Sequence, residues 1–309
     1  MRAPPRSAAT LVGAQARRRL RRFVPDALLD AARSAGLLGG REWQHEPGAW
    51  ATPAISEGWA DPSIVRAEVA KWPAFLAAVA GPGTLGVNHE ASVLAADDLS
   101  VHNTVMSFAY VLGRARVDPL RVLDWGGGLG HYYVFARRLW PETELRWTCR
   151  DLPAICREGA RLQPEVEFTS DDGCLGRRYD LVVALSSIHY TRDWAALLAA
   201  LAAAADPWLY LGRVPVTPSA PTFPVVQSPH RYGYETRYVG WFLNRHELLR
   251  TADAAGLELD REFLEGERPY VRNAPERAAY HGFLFRRRAE ASSRDGDGAA
   301  PLQSPGARP

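Results

Sequence analysis

The sequence predicts an α/β fold: a mostly parallel sheet with a closing antiparallel hairpin, preceded by a helical N-terminal region. Three observations predict it. From Leu120 onward, short apolar runs alternate with helical periods, as in strands joined by crossover helices. From Val122 to Tyr133 the chain reads VLDWGGGLGHYY, with four glycines in five positions between a strand and a helix. Ahead of Leu120, the periodic segments read as helices, separated by a Trp- and Pro-rich stretch.

The elements follow in order. Residues 1–24 read as a basic arm and residues 25–116 as the helical region. There Pro25-Asp26 opens DALLDAARSAGLLGG, Asp61-Pro62-Ser63 opens SIVRAEVAKWPAFLAAVAG, and Ser100 is expected to cap VHNTVMSFAYVLGRAR. The intervening REWQHEPGAWATPAISEGWADP is expected to be irregular but packed. Val117-Asp118-Pro119 links this region to the α/β domain, residues 117–288. In that domain LRVLDW, LRWTC, VEFTS, YDLVVALSS and PWLYLGRV read as strands. HYYVFARRLW, LPAICREGARL, DWAALLAALAAAA and NRHELLRTADAAG read as helices, the last two capped by Asp193 and Asn244. LELDREFLEG and AAYHGFLFRRR form the closing hairpin, and residues 289–309 have too little to bury to be ordered.

Composition narrows the function. No run approaches the roughly 18 apolar residues of a membrane-spanning helix. A net charge of +2 carries no global nucleic-acid signature. Lys71 is the only lysine, so the arginines read as coding bias rather than as selected chemistry. Cys149, Cys156 and Cys174 form no CxxC, and a reducing cytoplasm is expected. The first 22 residues hold seven arginines and no acid, without the apolar core of a signal peptide. A solvated arm able to graze an anionic surface is preferred over a transit peptide. No His/Asp/Glu cluster has metal-ligand spacing. The sequence leaves the oligomeric state open.

A strand, glycines and a helix make a turn whose amides can approach a ligand closely. The dinucleotide pattern G-x-G-x-x-G fails, since its third slot from Gly126 is His131. The chain instead reads Asp124-x-Gly126-x-Gly128-x-Gly130, with the acid at the strand end. An acid there opposes a pyrophosphate and suits a cationic ligand such as S-adenosylmethionine. Asp151 lies 21 residues past Gly130, at the end of the second strand, where a carboxylate can accept both ribose hydroxyls.

VLDWGGGLG, RDLP, SDD and YDLVVALSS, in this order, resemble the class I S-adenosylmethionine-dependent methyltransferases, with their Rossmann-like sheet. The chain resembles more narrowly a group of bacterial methyltransferases often associated with cell-surface polysaccharide genes. Leu123 to Tyr132, Tyr179 to Ser187, and Arg213, Pro215, Phe223 and Gln227 carry that likeness. It implies that Asp124 orients the glycine loop and the ligand's ammonium, that Gly126, Gly128 and Gly130 let the backbone approach the methionine and ribose portions, and that Asp151 holds the ribose. Asp171, with Asp172 as rival, would meet the adenine, and Ser186 with Ser187 would floor the methionine arm.

Methyl transfer needs alignment and often a base. His189, just past ALSSI at the carboxyl edge of the sheet, is the candidate base. The same group often has glutamine there, which implies orientation instead. Residues 213–243 are too long for an ordinary connection and are expected to form a lid over the acceptor, with Arg213, Gln227 and Tyr232 among its polar groups. The expected acceptor is a small molecule or glycan, methylated on oxygen. A catalytically inactive binding or assembly protein on the same fold is the alternative, and a nicotinamide oxidoreductase the third reading.

Overall fold

The computed structural model describes residues 42–85 and 98–288. The expected basic arm, the helix opened by Pro25 and the tail from Ala289 lie outside the described residues. In chain order the described elements begin with β1 (Trp43–His45), α1 (Pro53–Ser56), α2 (Pro62–Ala80) and α3 (Leu99–Arg114). β2 (Leu120–Trp125), α4 (His131–Leu139), β3 (Leu145–Arg150), α5 (Pro153–Leu162), β4 (Glu167–Thr169) and β5 (Tyr179–Leu185) follow. The chain then forms α6 (Trp194–Ala204), β6 (Ala205–Thr217), β7 (Phe223–Gln227) and β8 (Tyr238–Asn244). It closes with α7 (Arg245–Ala254), β9 (Leu257–Leu264), β10 (Val271–Arg272) and β11 (Ala279–Arg287).

The main sheet runs β4-β3-β2-β5-β6-β11-β9. Its first five strands pair parallel, and β11 lies antiparallel to both β6 and β9. The chain winds outward from β2 through β3 to β4, then returns to β5 on the other side. That reversal opens a crevice at the carboxyl ends of β2 and β5, the usual place for a ligand in an open α/β sheet.

Alternation along the strands builds a layer on each face. Val122, Leu181 and Val183 face Trp72 and Phe75 of α2, Phe108 and Leu112 of α3, and Phe135 of α4. Leu123, Val182 and Ala184 face Leu197, Leu198 and Leu201 of α6 and Leu248 of α7. Each of the fully buried Val, Leu and Phe side chains contributes roughly 1.5–3 kcal/mol. Asp61, Asp193 and Asn244 cap α2, α6 and α7 by accepting from backbone amides two or three residues on.

Three expectations are corrected. Asp98 rather than Ser100 caps α3, its carboxylate accepting from the Ser100 and Val101 amides. The segment expected to be a lid, residues 213–243, is largely sheet: β6 continues to Thr217, and β7 and β8 pair antiparallel from Phe223↔Phe242 to Gln227↔Tyr238. The Trp-rich stretch expected to be irregular supplies β1, which pairs antiparallel with β7 and parallel with β10. Prolines on either side of β7 obscure its period. Its partner β1 lies some 180 residues away, a separation that no local pattern encodes.

Candidate functional site

Asp124 sits one residue from the end of β2, a strand buried on both faces, and is 0% exposed. Its carboxylate lies under the glycine turn. A Cβ added at Gly127 would stand 2.5 Å from its Cγ and Oδ2 and 2.7 Å from Cys149 Sγ. Among the described residues, neither carboxylate oxygen meets a donor in hydrogen-bonding geometry. Burial pushes its pKa up to about 7; the Trp147 indole pulls it down and the charge of Asp151 pushes it further up.

Gly126, Gly128 and Gly130 all take left-handed backbone, with φ of 70°, 59° and 83°. L side chains resist that conformation. The turn is held from several sides. The Gly126 amide donates to the Arg150 carbonyl at 2.8 Å. The Gly128 amide donates to Asp151 Oδ2 at 2.9 Å, and the Leu152 amide to Oδ1 at 2.7 Å. Burial nonetheless raises the Asp151 pKa, against the lowering effect of those two amides and of Arg150. The Gln163 side-chain amide donates to the Leu129 and Gly130 carbonyls, and the Cys149 thiol to the Gly128 carbonyl at 3.6 Å.

A cavity of about 250 Å³ opens over this turn. Gly126, Gly128, Asp151, Ser186 and Ser187 line it from the carboxyl edge of the sheet, with Leu152, Ile155 and Leu185 as apolar wall. Arg150 stacks over Trp125 at 4.3 Å on another side and pairs with Asp172 at 2.6 Å. Trp59, Ile64 and Glu68 close the cavity from the N-terminal region, and Tyr190 and Thr191 from beyond β5. Trp59 stacks on Tyr238 at 4.0 Å and meets Tyr190 edge-on at 4.8 Å. Glu68 is 5% exposed and accepts from the Tyr234 hydroxyl at 3.2 Å.

Gly126, Gly128, Asp151 and Ser186 therefore meet at one cavity. Asp124 and Gly130 sit beneath and behind the same turn. Asp171 does not reach it: the side chain is exposed and caps its own turn by accepting from the Gly173 amide at 2.9 Å. Arg213 is spent in a network, donating to Ser186 Oγ at 3.1 Å and Glu267 at 2.6 Å, with its amide on Glu265 at 3.0 Å. Gln227 lies one shell out, accepting from the Tyr190 hydroxyl at 2.6 Å and donating to Glu42 at 2.8 Å. Tyr232 does not line the cavity but packs behind its wall, in the cluster of Ile64, Trp59 and Tyr190, its carbonyl accepting from Lys71 at 2.6 Å. His189 is 0% exposed and packs on Tyr190, ring to ring, at 4.1 Å. Burial, with Arg213 adding to it, pushes its pKa down to about 3.

A family model described as a methyltransferase domain matches residues 97–262. The chain belongs to this methyltransferase family. No curated protein matches the sequence. Among solved structures, it is similar to magnesium protoporphyrin IX methyltransferase from Synechocystis PCC 6803 with bound S-adenosylmethionine: 18% identity, 68% of this chain, 88% of that one, TM-score 0.44. An amino pentose methyltransferase of calicheamicin biosynthesis from Micromonospora echinaspora gives 21%, 60%, 91% and 0.41. A 1,6-didemethyltoxoflavin N1-methyltransferase from Burkholderia thailandensis gives 18%, 63%, 80% and 0.41. The likeness is remote in each case.

Within this methyltransferase domain, sequence reasoning missed two kinds of residue. Gly127 falls in a free slot of the Asp-x-Gly-x-Gly-x-Gly spacing, yet its missing Cβ is what seats the turn on Asp124. Its signal was visible as the unbroken run Gly126-Gly127-Gly128. Trp59, Ile64 and Glu68 come from outside the matched residues. Ile64 and Glu68 lie four apart on one buried face of α2 and Trp59 in the turn before it, and nothing local says that they meet a ligand.

Proposed function

We propose that this chain is a methyltransferase that uses S-adenosylmethionine and methylates a hydroxyl of a small-molecule or glycan-type acceptor. The observation that carries the reading is the turn itself. Three left-handed glycines run past a buried acid, with the Gly128 amide locked onto Asp151, beneath a cavity at the carboxyl edge of β2 and β5. These residues fit the donor. A carboxylate has about four lone-pair sites, so Asp151 keeps capacity for a ribose diol beyond its two amide bonds. Leu152 and Ile155 offer apolar contact to a purine, and Gly126, Gly128 and Ser186 present backbone to the methionine arm. When bound, the donor supplies an electrophilic methyl group on a sulfonium.

The chain's own share is alignment, worth up to roughly 7–11 kcal/mol in well-oriented reactions. Trp59 and Tyr190 supply flat aromatic walls suited to a sugar or planar ring. In this reading Gln227 fixes Tyr190 through its hydroxyl, and Arg213 fixes Ser186. His189 acts as support beneath Tyr190 rather than as the base. Among the described residues no helix is long and apolar enough to cross a membrane. We place the reaction in the cytoplasm, where the buried free thiols of Cys149, Cys156 and Cys174 stay reduced.

Calorimetric titration with S-adenosylmethionine, S-adenosylhomocysteine and NAD tests the assignment. The first two are expected to bind and NAD to give no heat. Binding of NAD alone would sink it. Methyl-labelled donor offered to fractionated glycans and small metabolites then identifies the acceptor.

A further inference from the structure

We infer that Glu265, a buried carboxylate directly after β9, is a positioning residue of the donor site, acting through a bulge in β6 that aims Arg213 at Ser186. The inference rests on the cofactor reading above and adds to it a residue outside the cavity wall.

The ladder between β6 and β11 shifts register once. Leu211 pairs with Phe283 and Val214 with His281, so Gly212 and Arg213 together oppose Gly282. Two residues against one make a β-bulge, which bends the strand and re-aims a side chain. Arg213 takes a left-handed φ of 52° there. That conformation is costly for an arginine and persists only where its surroundings hold it. Glu265, 0% exposed, does so: its Oε1 accepts from the Arg213 amide at 3.0 Å. Its Oε2 accepts from the Thr104 hydroxyl of α3 at 2.9 Å and stands 3.9 Å from the Arg213 guanidinium. Gly282 leaves room for this carboxylate. A Cβ there would come within 3.2 Å of Oε1 and 2.7 Å of the Tyr210 hydroxyl.

The bulge lies where the sheet opens. β6 pairs with β5 as far as Gly212 and with β8 from Val216. At that point Arg213 Nε donates to Ser186 Oγ at 3.1 Å. Ser186 is left-handed as well, with φ of 52°, and its amide donates to the Gly212 carbonyl at 2.9 Å. Two neighbouring strands thus end in strained residues that hold each other, and Ser186 lines the cavity. The next residue, Ser187, donates to the Trp125 carbonyl at 2.7 Å, and its Cβ lies 2.5 Å from where a Cβ on Gly126 would stand. The strained turn therefore seats the end of β5 against the glycine loop. In the cofactor reading Ser186 meets the methionine arm, while Asp151 meets the ribose. Glu265 accordingly governs how the arm is held and leaves the nucleoside alone.

The test uses the full chain and calorimetry with two ligands. S-adenosylhomocysteine carries the arm; 5′-methylthioadenosine has the same adenine, ribose and sulfur without it. Glu265→Ala should weaken S-adenosylhomocysteine about tenfold or more, as expected when a buried hydrogen-bonded link is lost. Affinity for 5′-methylthioadenosine should stay within about twofold, since its contacts are separate. Glu265→Gln keeps an acceptor for the Arg213 amide and should restore S-adenosylhomocysteine to within about threefold of wild type. Should the Ala variant fail to fold, Gly282→Ala crowds the same carboxylate and Ser186→Ala cuts the last link, and each should give the same arm-selective loss. Equal losses for both ligands, unchanged S-adenosylhomocysteine binding, or a Gln variant as weak as the Ala one would overturn the role of Glu265 and leave the cofactor reading standing. So would a wild type that binds both ligands equally well. A wild-type chain that binds neither would overturn both.

Discussion

Asp124 and His189 are fully buried groups that titrate in opposite senses. For Asp124 the folded pKa of about 7 stands above the ordinary 3.8, so the folded chain holds a proton that the unfolded chain has released. Stability from this group is fully present below about pH 4 and is lost as pH rises through about 7. For His189 the folded pKa of about 3 stands below 6.5, so the unfolded chain binds a proton that the folded chain refuses. Its contribution is fully present above pH 6.5 and is lost as pH falls toward 3. The two slopes partly cancel in the wild type, and single substitutions unmask them. Asp124→Asn should gain stability relative to wild type between pH 5 and pH 8, by roughly 2–3 kcal/mol. His189→Gln should lose relative stability over the same interval, by about 2 kcal/mol. Thermal unfolding of the three proteins at both pH values decides it, and parallel shifts would refute the assignments. A histidine with this pKa also contributes no acid limb near neutrality, so a pH–rate profile breaking at 6–7 has another origin.

At the scale of the element, the turn between β2 and α4 shows where a glycine is needed for conformation and where for space. Gly126, Gly128 and Gly130 are required by φ, whereas Gly127 is required by the 2.5 Å approach of Asp124. Gly127→Ala should therefore destabilise the chain by about 1–3 kcal/mol through overpacking, and weaken S-adenosylhomocysteine binding by lifting the turn. Among the described residues Gly176 has nothing within 4 Å of an added Cβ, so Gly176→Ala should stay within about 0.5 kcal/mol of wild type. Melting curves and a product titration on both variants separate packing from backbone strain. Near-equal effects would show that the turn relaxes around the new methyl group.

Across the whole molecule, the N-terminal helices belong to the core rather than standing beside it. Phe75 of α2 is 1% exposed and meets His131 at 4.8 Å and Phe135 at 5.5 Å, both on α4. Trp72 packs on His131 as well, at 5.1 Å. Phe75→Ala should cost about 3–5 kcal/mol. It should also weaken product binding, since α2 carries one wall of the cavity. Denaturant unfolding should remain a single transition in wild type and variant. A separate early transition with product binding intact would mean that α2 is a dispensable appendage.

Much of this protein was legible from local pattern. Strand runs such as YDLVVALSS are apolar on both faces because β5 lies between two helical layers, and the four-glycine turn between LRVLDW and HYYVFARRLW marks a backbone that neighbouring groups approach closely. Asp151 was legible too, from its distance along a parallel sheet of regular crossovers. Those signals lie within a few residues of the structure they specify. The outer wall was not legible: Trp59 read as part of an irregular packed stretch and Glu68 as one position of a helix, and only tertiary packing brings them to the cavity and Glu68 toward Gly128. Nor were the partners of polar residues. Arg213, Gln227 and His189 look like site residues by type, and burial engages the first two in networks and strips the third of its basicity. Local sequence determines backbone preference and which face is apolar. Which charge faces a cavity, and which is sealed behind a glycine, depends on contacts between segments tens to hundreds of residues apart, and only the folded chain brings those together.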